Sequence, residues 1–404
     1  MKKTTLILTI ILLVIYSNIL NAQVTITNFT TADGLPDNFI CGGVAVDGNN
    51  NKWFGTQGGV AMYNNATWTV YTTANGLLEN YINCIAVDNA NNVWAATDLG
   101  VCKFNGTTWT SYTTTDGLVS NEVKYIKSDN TGAIWFATFS GVSKYFESTF
   151  TTYSTSNGMP SDIVSYIATD ASNNIWFGTW TSGAVKYDGT TFTSFTTVEG
   201  IPEDNISSIA IDGNGNKWIG TLSGMSKLNS NDEWVANYTS VEGLLNNFVQ
   251  DIAIDSHNNV WIGMYADYIQ EGGLTKYNGS EWTTYSVADG LVDQQVKRIA
   301  VDNNDNIWVA TGNGISKIST VTGINNTKEQ NIAVYPNPAT DKLFINLANN
   351  KMITIQISDL LGHVVLNQKI SNSTAINVEL LQSGVYVLKT KEGNKIHTQK
   401  LIVE

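Results

Sequence analysis

Arginine is almost absent from this chain, and histidine and cysteine are scarce. The 404 residues include a single arginine, Arg298, three histidines and three cysteines. Because the forked guanidinium group is the side chain best suited to gripping phosphates, a nucleic-acid partner is not expected. The formal net charge is −13 at pH 7. Lys2 and Lys3 contribute +2 and residues 330–404 another +2, so residues 24–329 carry −17, which also disfavours polyanions.

The shortage of histidine limits the chemistry that can be expected. His257 is the one histidine of residues 24–329, whereas metal sites and histidine-based nucleophile systems need clustered ligands or bases. The segment Asp47-Gly48-Asn49-Asn50-Asn51 resembles the first half of a calcium loop but has no glutamate at the twelfth position, so turn capping is the favoured role of Asp47. We therefore predict no catalytic residue, no metal and no cofactor.

The three cysteines, Cys41, Cys84 and Cys102, are odd in number and fall at positions that are not equivalent in the repeat described below. A disulfide framework normally shows even, patterned spacing. Buried thiols are favoured, and one incidental bridge remains an alternative.

The first 22 residues have the order of a secretory signal peptide. Lys2 and Lys3 precede an apolar run, and Asn21-Ala22-Gln23 supplies a small residue for cleavage after Ala22. The run is too short and too close to the terminus for a membrane span, and no later stretch is long and apolar enough for one. No cysteine follows the cut, so a lipid anchor is not expected and the mature protein is predicted to be exported.

A repeated pattern dominates the rest of the chain. It consists of Asp, five residues, Trp, an apolar residue, then Gly or Ala and usually Thr, and its tryptophans are 41 to 47 residues apart. This is the period of a four-stranded propeller blade rather than of a helical repeat. The seven copies lie at Asp47/Trp53, Asp88/Trp94, Asp129/Trp135, Asp170/Trp176, Asp212/Trp218, Asp255/Trp261 and Asp302/Trp308.

The fold class is therefore predicted to be all-β, with a seven-bladed propeller over residues 23–320. The seventh repeat lacks an aromatic fourth strand, whereas residues 26–31 match the fourth strand at residues 68–73 position for position. The N-terminal strand should complete the last blade and so remove both open edges. Blade tryptophans are expected to pack between blades rather than to bind ligand.

The links between blades carry a second periodic feature. Each contains an acid or amide followed by Gly, and another polar residue lies four positions beyond that Gly. Because this residue recurs in every blade, a structural role in holding the backbone amides of the link is favoured over ligand contact. These residues are Asn38, Asn80, Asn121, Asp162, Asp204, Asn247 and Gln294.

The period ends before the C-terminus. Residues 321–331 are predicted to be a linker, and residues 332–404 a small immunoglobulin-like β-sandwich of about seven short strands. Its predicted strands include Lys342–Leu347, 353–357, 364–366, 385–388 and 400–403.

The repeat resembles the two-component regulator propeller family, and the tail, with Tyr335-Pro336-Asn337-Pro338 and its closing strand, looks like the C-terminal sorting domain of the type IX secretion system. The resemblance implies a Bacteroidetes-type protein, displayed on the outer membrane or secreted, whose residues 332–404 engage the secretion machinery. The family's propellers usually occur in pairs within hybrid sensor kinases. Direct signalling is not expected here, because the chain has one propeller and no kinase.

Departures from the repeat supply the candidate ligand-binding residues, since shared blade geometry does not explain them. Blade six carries about six extra residues between its second and third strands, including Tyr265, Asp267, Tyr268, Gln270 and Glu271. In blade four the equivalent loop has one extra residue and contains the one tryptophan out of phase, Trp180. Aromatic rings beside carboxylates and amides suit a glycan or peptide ligand, although a decorative insertion is an equal alternative.

The function favoured by the sequence is a secreted or cell-surface, non-catalytic binding propeller. Two alternatives remain open. One is a propeller lyase acting on a polysaccharide or cyclic peptide, which the fold alone would permit. The other is an accessory sensor that works through a partner receptor.

Overall fold

The computed structural model describes residues 23–266, 270–321, 332–347, 352–359, 362–392 and 395–404. The predicted signal peptide, residues 1–22, lies outside the described residues, as does most of the predicted linker, 322–331. The chain divides into two compact units. One unit is Val24–Thr320, and the C-terminal segment from Val321 onward belongs to the other.

The first unit contains seven four-stranded sheets, numbered here in chain order. Sheet 1 contains β2 (Gly43–Val46), β3 (Lys52–Thr56), β4 (Gly59–Tyr63) and β5 (Trp68–Tyr71); sheet 2 contains β6 (Cys84–Val87), β7 (Val93–Ala96), β8 (Val101–Phe104) and β9 (Trp109–Tyr112). Sheet 3 contains β10 (Val123–Ser128), β11 (Ile134–Thr138), β12 (Gly141–Phe146) and β13 (Thr149–Tyr153). Sheet 4 contains β14 (Val164–Thr169), β15 (Ile175–Thr179), β16 (Ala184–Tyr187) and β17 (Phe192–Phe195).

The remaining three sheets follow the same plan. Sheet 5 contains β18 (Ile206–Ile211), β19 (Lys217–Thr221), β20 (Gly224–Leu228) and β21 (Trp234–Tyr238). Sheet 6 contains β22 (Val249–Ile254), β23 (Val260–Met264), β24 (Gly273–Tyr277) and β25 (Trp282–Tyr285). Sheet 7 contains β26 (Val296–Val301), β27 (Ile307–Thr311), β28 (Gly314–Val321) and the N-terminal strand β1 (Gln23–Phe29), which lies beside β28.

The first strands of the sheets contact one another in succession around a central axis. β2 contacts β6, each later first strand contacts the next, and β26 of sheet 7 contacts β2 of sheet 1. The hydrophobic core lies between neighbouring sheets: each of seven buried clusters draws its residues from two adjacent sheets, including one that joins Trp308 and Ile315 of sheet 7 to Phe54 and Ala61 of sheet 1. The burial of both faces explains why the first two strands of each repeat are so apolar.

The repeated Asp and Trp form one hydrogen-bonded unit in every sheet. The indole Nε1 donates to the Asp Oδ2 six residues earlier, over 2.9 to 3.4 Å. The same carboxylate accepts backbone amides of the turn between the first two strands, as Asp47 does from Asn49 and Asn51. The expected turn-capping role is confirmed, whereas the bond from the indole to the same carboxylate was not predicted from the sequence.

The polar link residues hold the links as predicted. In six of the seven links the side-chain oxygen accepts a backbone N–H seven residues earlier, over 2.7 to 2.9 Å, as Asn38 does from Thr31. The Gly of each link has a positive φ, from 99° to 128°, which glycine adopts without strain. Four links contain a short 3₁₀ helix, at Thr73–Asn75, Thr155–Asn157, Thr197–Glu199 and Val287–Asp289.

The second unit contains seven strands in two sheets. A three-stranded sheet has the order β29-β30-β33 and a four-stranded sheet the order β32-β31-β34-β35, and residues of both sheets, among them Leu343, Ile355, Leu388 and Leu401, share one buried core. The strands are β29 (Ile332–Tyr335), β30 (Lys342–Leu347), β31 (Ile353–Ser358), β32 (Val364–Ile370), β33 (Thr374–Asn377), β34 (Gly384–Glu392) and β35 (Lys395–Val403).

All three cysteines are free thiols. Cys84 and Cys102 are buried, whereas Cys41 is half-buried, so the expectation of a buried thiol holds for two of the three. Within the part of the chain that the structure describes, no helix is long and apolar enough to cross a membrane.

Candidate ligand-binding face

The connections between second and third strands lie against the interblade links, at one end of the first unit. The residue that follows the second strand donates its backbone N–H to a carbonyl of the preceding link: Gln57 to Phe39, Trp180 to Ile163, Tyr265 to Phe248 and Gly312 to Gln295, over 3.0 to 3.3 Å. We call this end of the unit the link face. It contains most of the candidate residues chosen from the sequence.

An arc of apolar side chains crosses the link face. The residue immediately after the second strand is Phe139 in sheet 3, Trp180 in sheet 4, Leu222 in sheet 5 and Tyr265 in sheet 6. Phe139, Trp180 and Leu222 are 37%, 45% and 40% exposed, which is unusual for large apolar groups in one repeated position. We call these four residues the apolar arc.

Trp180 packs against its neighbour in the arc rather than into the core. Its ring centre lies 4.8 Å from that of Phe139, at an interplanar angle of 55°. The extra residue of this loop is accommodated by Ser182, whose backbone N–H donates to the Thr179 hydroxyl (2.9 Å) and whose hydroxyl donates to the Pro160 carbonyl (3.1 Å). The indole is thus presented to solvent by a loop tied down on both sides.

The insertion of sheet 6 is held at its base by Asn246. This buried side chain donates to the carbonyls of Tyr265 (3.0 Å) and Glu271 (2.7 Å) and accepts the Phe248 amide (2.7 Å). A pocket of about 320 Å³ lies beside it, lined by Ser240, Leu245, Asn246, Asn247, Gln270 and Glu271. A buried amide that bonds carbonyls at both ends of a loop fixes where the loop leaves and rejoins the sheet.

The structure brings the sequence candidates together only in part. Gln270 and Glu271 share the pocket of sheet 6, whereas Trp180 lies two sheets away. Leu222 has the equivalent position in the intervening sheet. Asp267 and Tyr268 lie outside the described residues. Phe139 and Leu222 were not predicted from the sequence, although each directly follows the Thr that ends a second strand, as Trp180 does.

The polar edge of the arc is charged. The Lys124 ammonium is 2.7 Å from the Asp98 carboxylate and 5.6 Å from the centre of the Phe139 ring. Burial opposes ionisation of Asp98, but hydrogen bonds from Lys124 and Asn83 outweigh it and lower the pKa of this carboxyl. The Asp98 carboxylate is therefore ionised at neutral pH.

The single histidine of the first unit, His257, lies away from the link face. His257 is in the turn between the first two strands of sheet 6, with its side chain 74% exposed and its Nδ1 3.1 Å from Asp305. Across the described ranges, no group of three or more His, Cys, Asp or Glu side chains is arranged to hold a metal ion.

Comparisons with known families match both parts of the chain. Residues 333–404 match the family described as secretion system C-terminal sorting domain, and residues 76–98, 243–266 and 290–313 match the two component regulator propeller. A curated relative, an ulvan lyase of Nonlabens ulvanivorans, is 35% identical over 88 residues, which are 21% of this chain and 16% of the relative.

Solved structures with similar folds extend over most of the chain. The extracellular domain of a hybrid two component system of B. thetaiotaomicron has a TM-score of 0.65 at 20% identity, covering 95% of this chain and 58% of that one. PorZ of Porphyromonas gingivalis, a surface component of the type-IX secretion system, has 0.62 at 18% identity, covering 92% and 60%. Virginiamycin B lyase from Staphylococcus aureus has 0.60 at 13% identity, covering 74% and 99%.

At these identities the solved structures show a shared propeller-type fold and nothing about ligands. The chain spans less than two thirds of the length of the curated lyase and of the first two structures. The sorting domain indicates export to the cell surface or secretion, and hence an interaction with the secretion machinery. The chain carries two-component regulator propeller repeats followed by a type IX secretion sorting domain, as its residues predicted.

Proposed function

We propose that the seven sheets form one seven-bladed propeller closed by the N-terminal strand, and that this propeller is a non-catalytic binding protein displayed on the cell surface or secreted. The pairing of β1 with β28 and the contact between β26 and β2 support the closure. Closure gives the link face a fixed geometry, because every blade is then wedged between two others.

The proposed ligand is a glycan bound along the apolar arc. The observation that carries this proposal is the exposure of Phe139, Trp180 and Leu222 at one equivalent position of three consecutive sheets. Rings and flat apolar groups stack on the apolar faces of sugar units, and the pocket amides and carboxylate beside them can bond hydroxyls. A peptide is the competing ligand, because the same groups would accommodate apolar side chains.

A lyase reaction is the alternative that the comparisons raise. The resemblance to virginiamycin B lyase concerns the fold, and the match to the ulvan lyase spans 21% of this chain. Among the described residues of the arc, no clustered base supports an elimination step, so we favour binding without turnover. An accessory sensor would require a partner receptor in addition.

A glycan and peptide array probed with purified protein tests the proposal. Trp180→Ala should lower the affinity for the ligand about tenfold. An aromatic contact contributes about 1 kcal/mol or more, and about 1.4 kcal/mol corresponds to a tenfold change in Kd. The matched control is Trp234→Ala, because Trp234 is 48% exposed but lies on the outer strand of sheet 5, away from the arc.

Three other outcomes would contradict the proposal. Equal losses from both tryptophan variants would show that the arc is not the site. Binding to peptides alone would show that the ligand is a peptide and not a glycan. Release of unsaturated products from a bound polysaccharide would show that the protein is a lyase.

A further inference from the structure

Positive charge in the first unit is divided into two groups. Val24–Thr320 contains twelve lysine and arginine residues. Lys124, Lys127, Lys297 and Arg298 lie on the first strands β10 and β26, whereas the other eight lie on second or third strands. Each of those eight places its ammonium 4.8 to 5.8 Å from the ring centre of a repeat tryptophan: Lys52, Lys103, Lys144, Lys186, Lys217, Lys227, Lys276 and Lys317.

Two of the four positively charged residues on first strands, Lys124 and Lys297, lie at a β-bulge. In five sheets the first strand is interrupted after its first residue, and one residue is left out of the pairing. At this position Ser165 and Ser207 donate to the carbonyls of Ile206 and Val249 in the next sheet, over 2.9 and 2.6 Å. These two serines therefore have a structural role, joining adjacent first strands.

Lysine at the same bulge position reaches the link face instead. The Lys297 ammonium is 5.4 Å from the ring centres of both Phe39 and Tyr265, and Lys124 lies against Phe139. Burial lowers the pKa of Lys297, although Asp293 opposes this effect. Two ammonium groups, on sheets 3 and 7, thus lie at the end of the unit that carries the apolar arc.

Arg298 lies beside the bulge and extends across the axis. Its guanidinium carbon is 5.4 Å from the ring centre of Tyr125 in sheet 3 and 5.6 Å from that of Tyr166 in sheet 4. The two tyrosine rings are 4.2 Å apart. Tyr166 in turn donates its hydroxyl to Asp251 of sheet 6 over 3.1 Å. These contacts join side chains of sheets 7, 3, 4 and 6. We call this group the polar plug, and the space between it and the two link-face lysines the cup.

The plug leaves the guanidinium with unused donors. Asp251 already accepts the Tyr166 hydroxyl, the Ser208 hydroxyl (3.1 Å) and the Ile299 amide (2.8 Å). Among the described residues, the one hydrogen bond from the guanidinium is to the Lys297 carbonyl, at 3.4 Å, whereas an arginine has five N–H donors. Arg298 is partly exposed, and none of its nitrogens is a buried atom without a partner. Its remaining donors can therefore meet an acceptor that enters the cup.

We infer that the cup between Lys124, Lys297 and Arg298 binds a single carboxylate, carried by an acidic sugar unit of the glycan on the apolar arc. This inference rests on the proposed function and specifies its ligand. A guanidinium matches a carboxylate through two parallel hydrogen bonds, and the two ammonium groups add charge at the rim. The charge of −17 around them opposes a polyanion, so one acidic unit fits better than a continuous polyuronate.

The test uses the full chain and the smallest sugars that carry the group. Glucuronate and galacturonate are compared with glucose and galactose by ligand-observed NMR, and one uronate is expected to bind with a Kd of about 1 to 10 mM. Lys297→Gln and Lys124→Gln should each weaken that binding about tenfold or more, since hydrogen bonds to charged groups are the strong ones. Lys276→Gln is the matched control, because this lysine lies over Trp261, away from the cup.

Arg298→Gln should abolish uronate binding, and the two lysine variants keep the test valid if that variant does not fold. N-acetylalanine and its amide form the second arm. If N-acetylalanine binds and the uronates do not, the site binds a carboxylate, but the proposal that a sugar carries this carboxylate is wrong.

The outcomes for the inference and for the proposed function are separable. Binding of neutral glycans that depends on Trp180, with no uronate binding at about 10 mM, would overturn the carboxylate site and leave the glycan-binding function standing. Equal binding of uronates to the wild type and to all three cup variants would overturn the inference as well. Loss of uronate binding in Lys276→Gln would show a nonspecific charge effect and count against it.

Discussion

Gly43 is the position where a single added methyl group should report on the polar plug. A Cβ built there would lie 2.5 Å from Cγ and 2.6 Å from Cβ of Arg298, and the φ of +74° is unfavourable for any other residue. Those atoms belong to the start of the Arg298 side chain, so they cannot move aside without a shift of β26. We therefore expect Gly43→Ala to displace Arg298 and to destabilise the first unit.

The magnitude follows from two contributions. Left-handed backbone strain costs about 1 to 2 kcal/mol for a residue with a Cβ, and overpacking a filled site costs about 1 to 3 kcal/mol more. Gly106→Ala is the control, because Gly106 has a φ of +97° but no atom within 4 Å of its Cβ position. It should lose only the first contribution.

Urea unfolding followed by tryptophan fluorescence measures the difference, since all twelve tryptophans lie in the first unit. The Gly43 variant should have the lower midpoint and should also lose uronate binding, whereas the Gly106 variant should keep it. Equal midpoints for the two variants would refute the close packing of Gly43 against Arg298.

Three further predictions concern the repeat and the thiols. Asp129→Ala should cost about 2 to 4 kcal/mol in urea unfolding, because it leaves the buried Trp135 indole N–H and two turn amides without their acceptor; an unchanged midpoint would contradict this. Burial opposes ionisation of Asp302, but hydrogen bonds from Trp308 and Asn306 outweigh it and lower the pKa of this carboxyl. The stability that this carboxylate provides should be full above the ordinary aspartate pKa of 3.8 and should decline as the pH falls below that value. The decline should be smaller in Asp302→Asn than in the wild type or in the exposed control Glu281→Gln. Burial raises the pKa of Cys41 and of Cys84 to about 11, so native-state alkylation at pH 8 should be slow at both thiols by mass spectrometry and fast after unfolding.

The regular part of the fold was predictable because its signals are local. The Asp-to-Trp spacing places the turn, and the carboxylate that caps the turn also accepts the indole six residues later. The polar residue four positions beyond each link Gly bonds a backbone amide only seven residues away. Interactions of such short range recur in every repeat, so the pattern can be read without knowledge of the tertiary contacts.

Strand lengths in the second unit were less predictable. The sequence indicated strands at 385–388 and 400–403, whereas β34 and β35 are Gly384–Glu392 and Lys395–Val403. The additional residues include Lys389, Lys391 and Lys395, which have low strand propensity and are ordered by pairing with the neighbouring strand. Pairing partners, and not propensity, set the ends of these strands.

The apolar arc was detected only where the repeat is broken. Trp180 and Tyr265 drew notice because their loops carry extra residues, whereas Phe139 and Leu222 occupy the same structural position in loops of ordinary length. Aligning the residue after each second strand, as in Thr138-Phe139 and Thr221-Leu222, would have revealed all four. The signal was present in the sequence but was hidden by the different loop lengths.

The central network could not be predicted from the sequence, because it depends on the bulge and on long-range approach. One unpaired residue in β10, β14 and β26 changes which side chains face the axis, so simple alternation along these strands misplaces Tyr125, Tyr166 and Arg298. The contact from Tyr166 to Asp251 joins residues 85 positions apart. No local pattern records such an approach.

The composition of the chain and the position of its one arginine, Arg298, lead to different expectations about ligands. Its rarity, together with the charge of −17 over residues 24–329, opposes binding of a polyanion to the surface as a whole. Its location beside two tyrosine rings, on an inner strand next to Lys297 and near Asp251, nevertheless places positive charge within this acidic unit. An acidic surface around a small cationic cup repels ligands with many charges and admits a ligand with one. The same charge of −17 that disfavours a nucleic-acid partner would therefore also select among ligands of the link face.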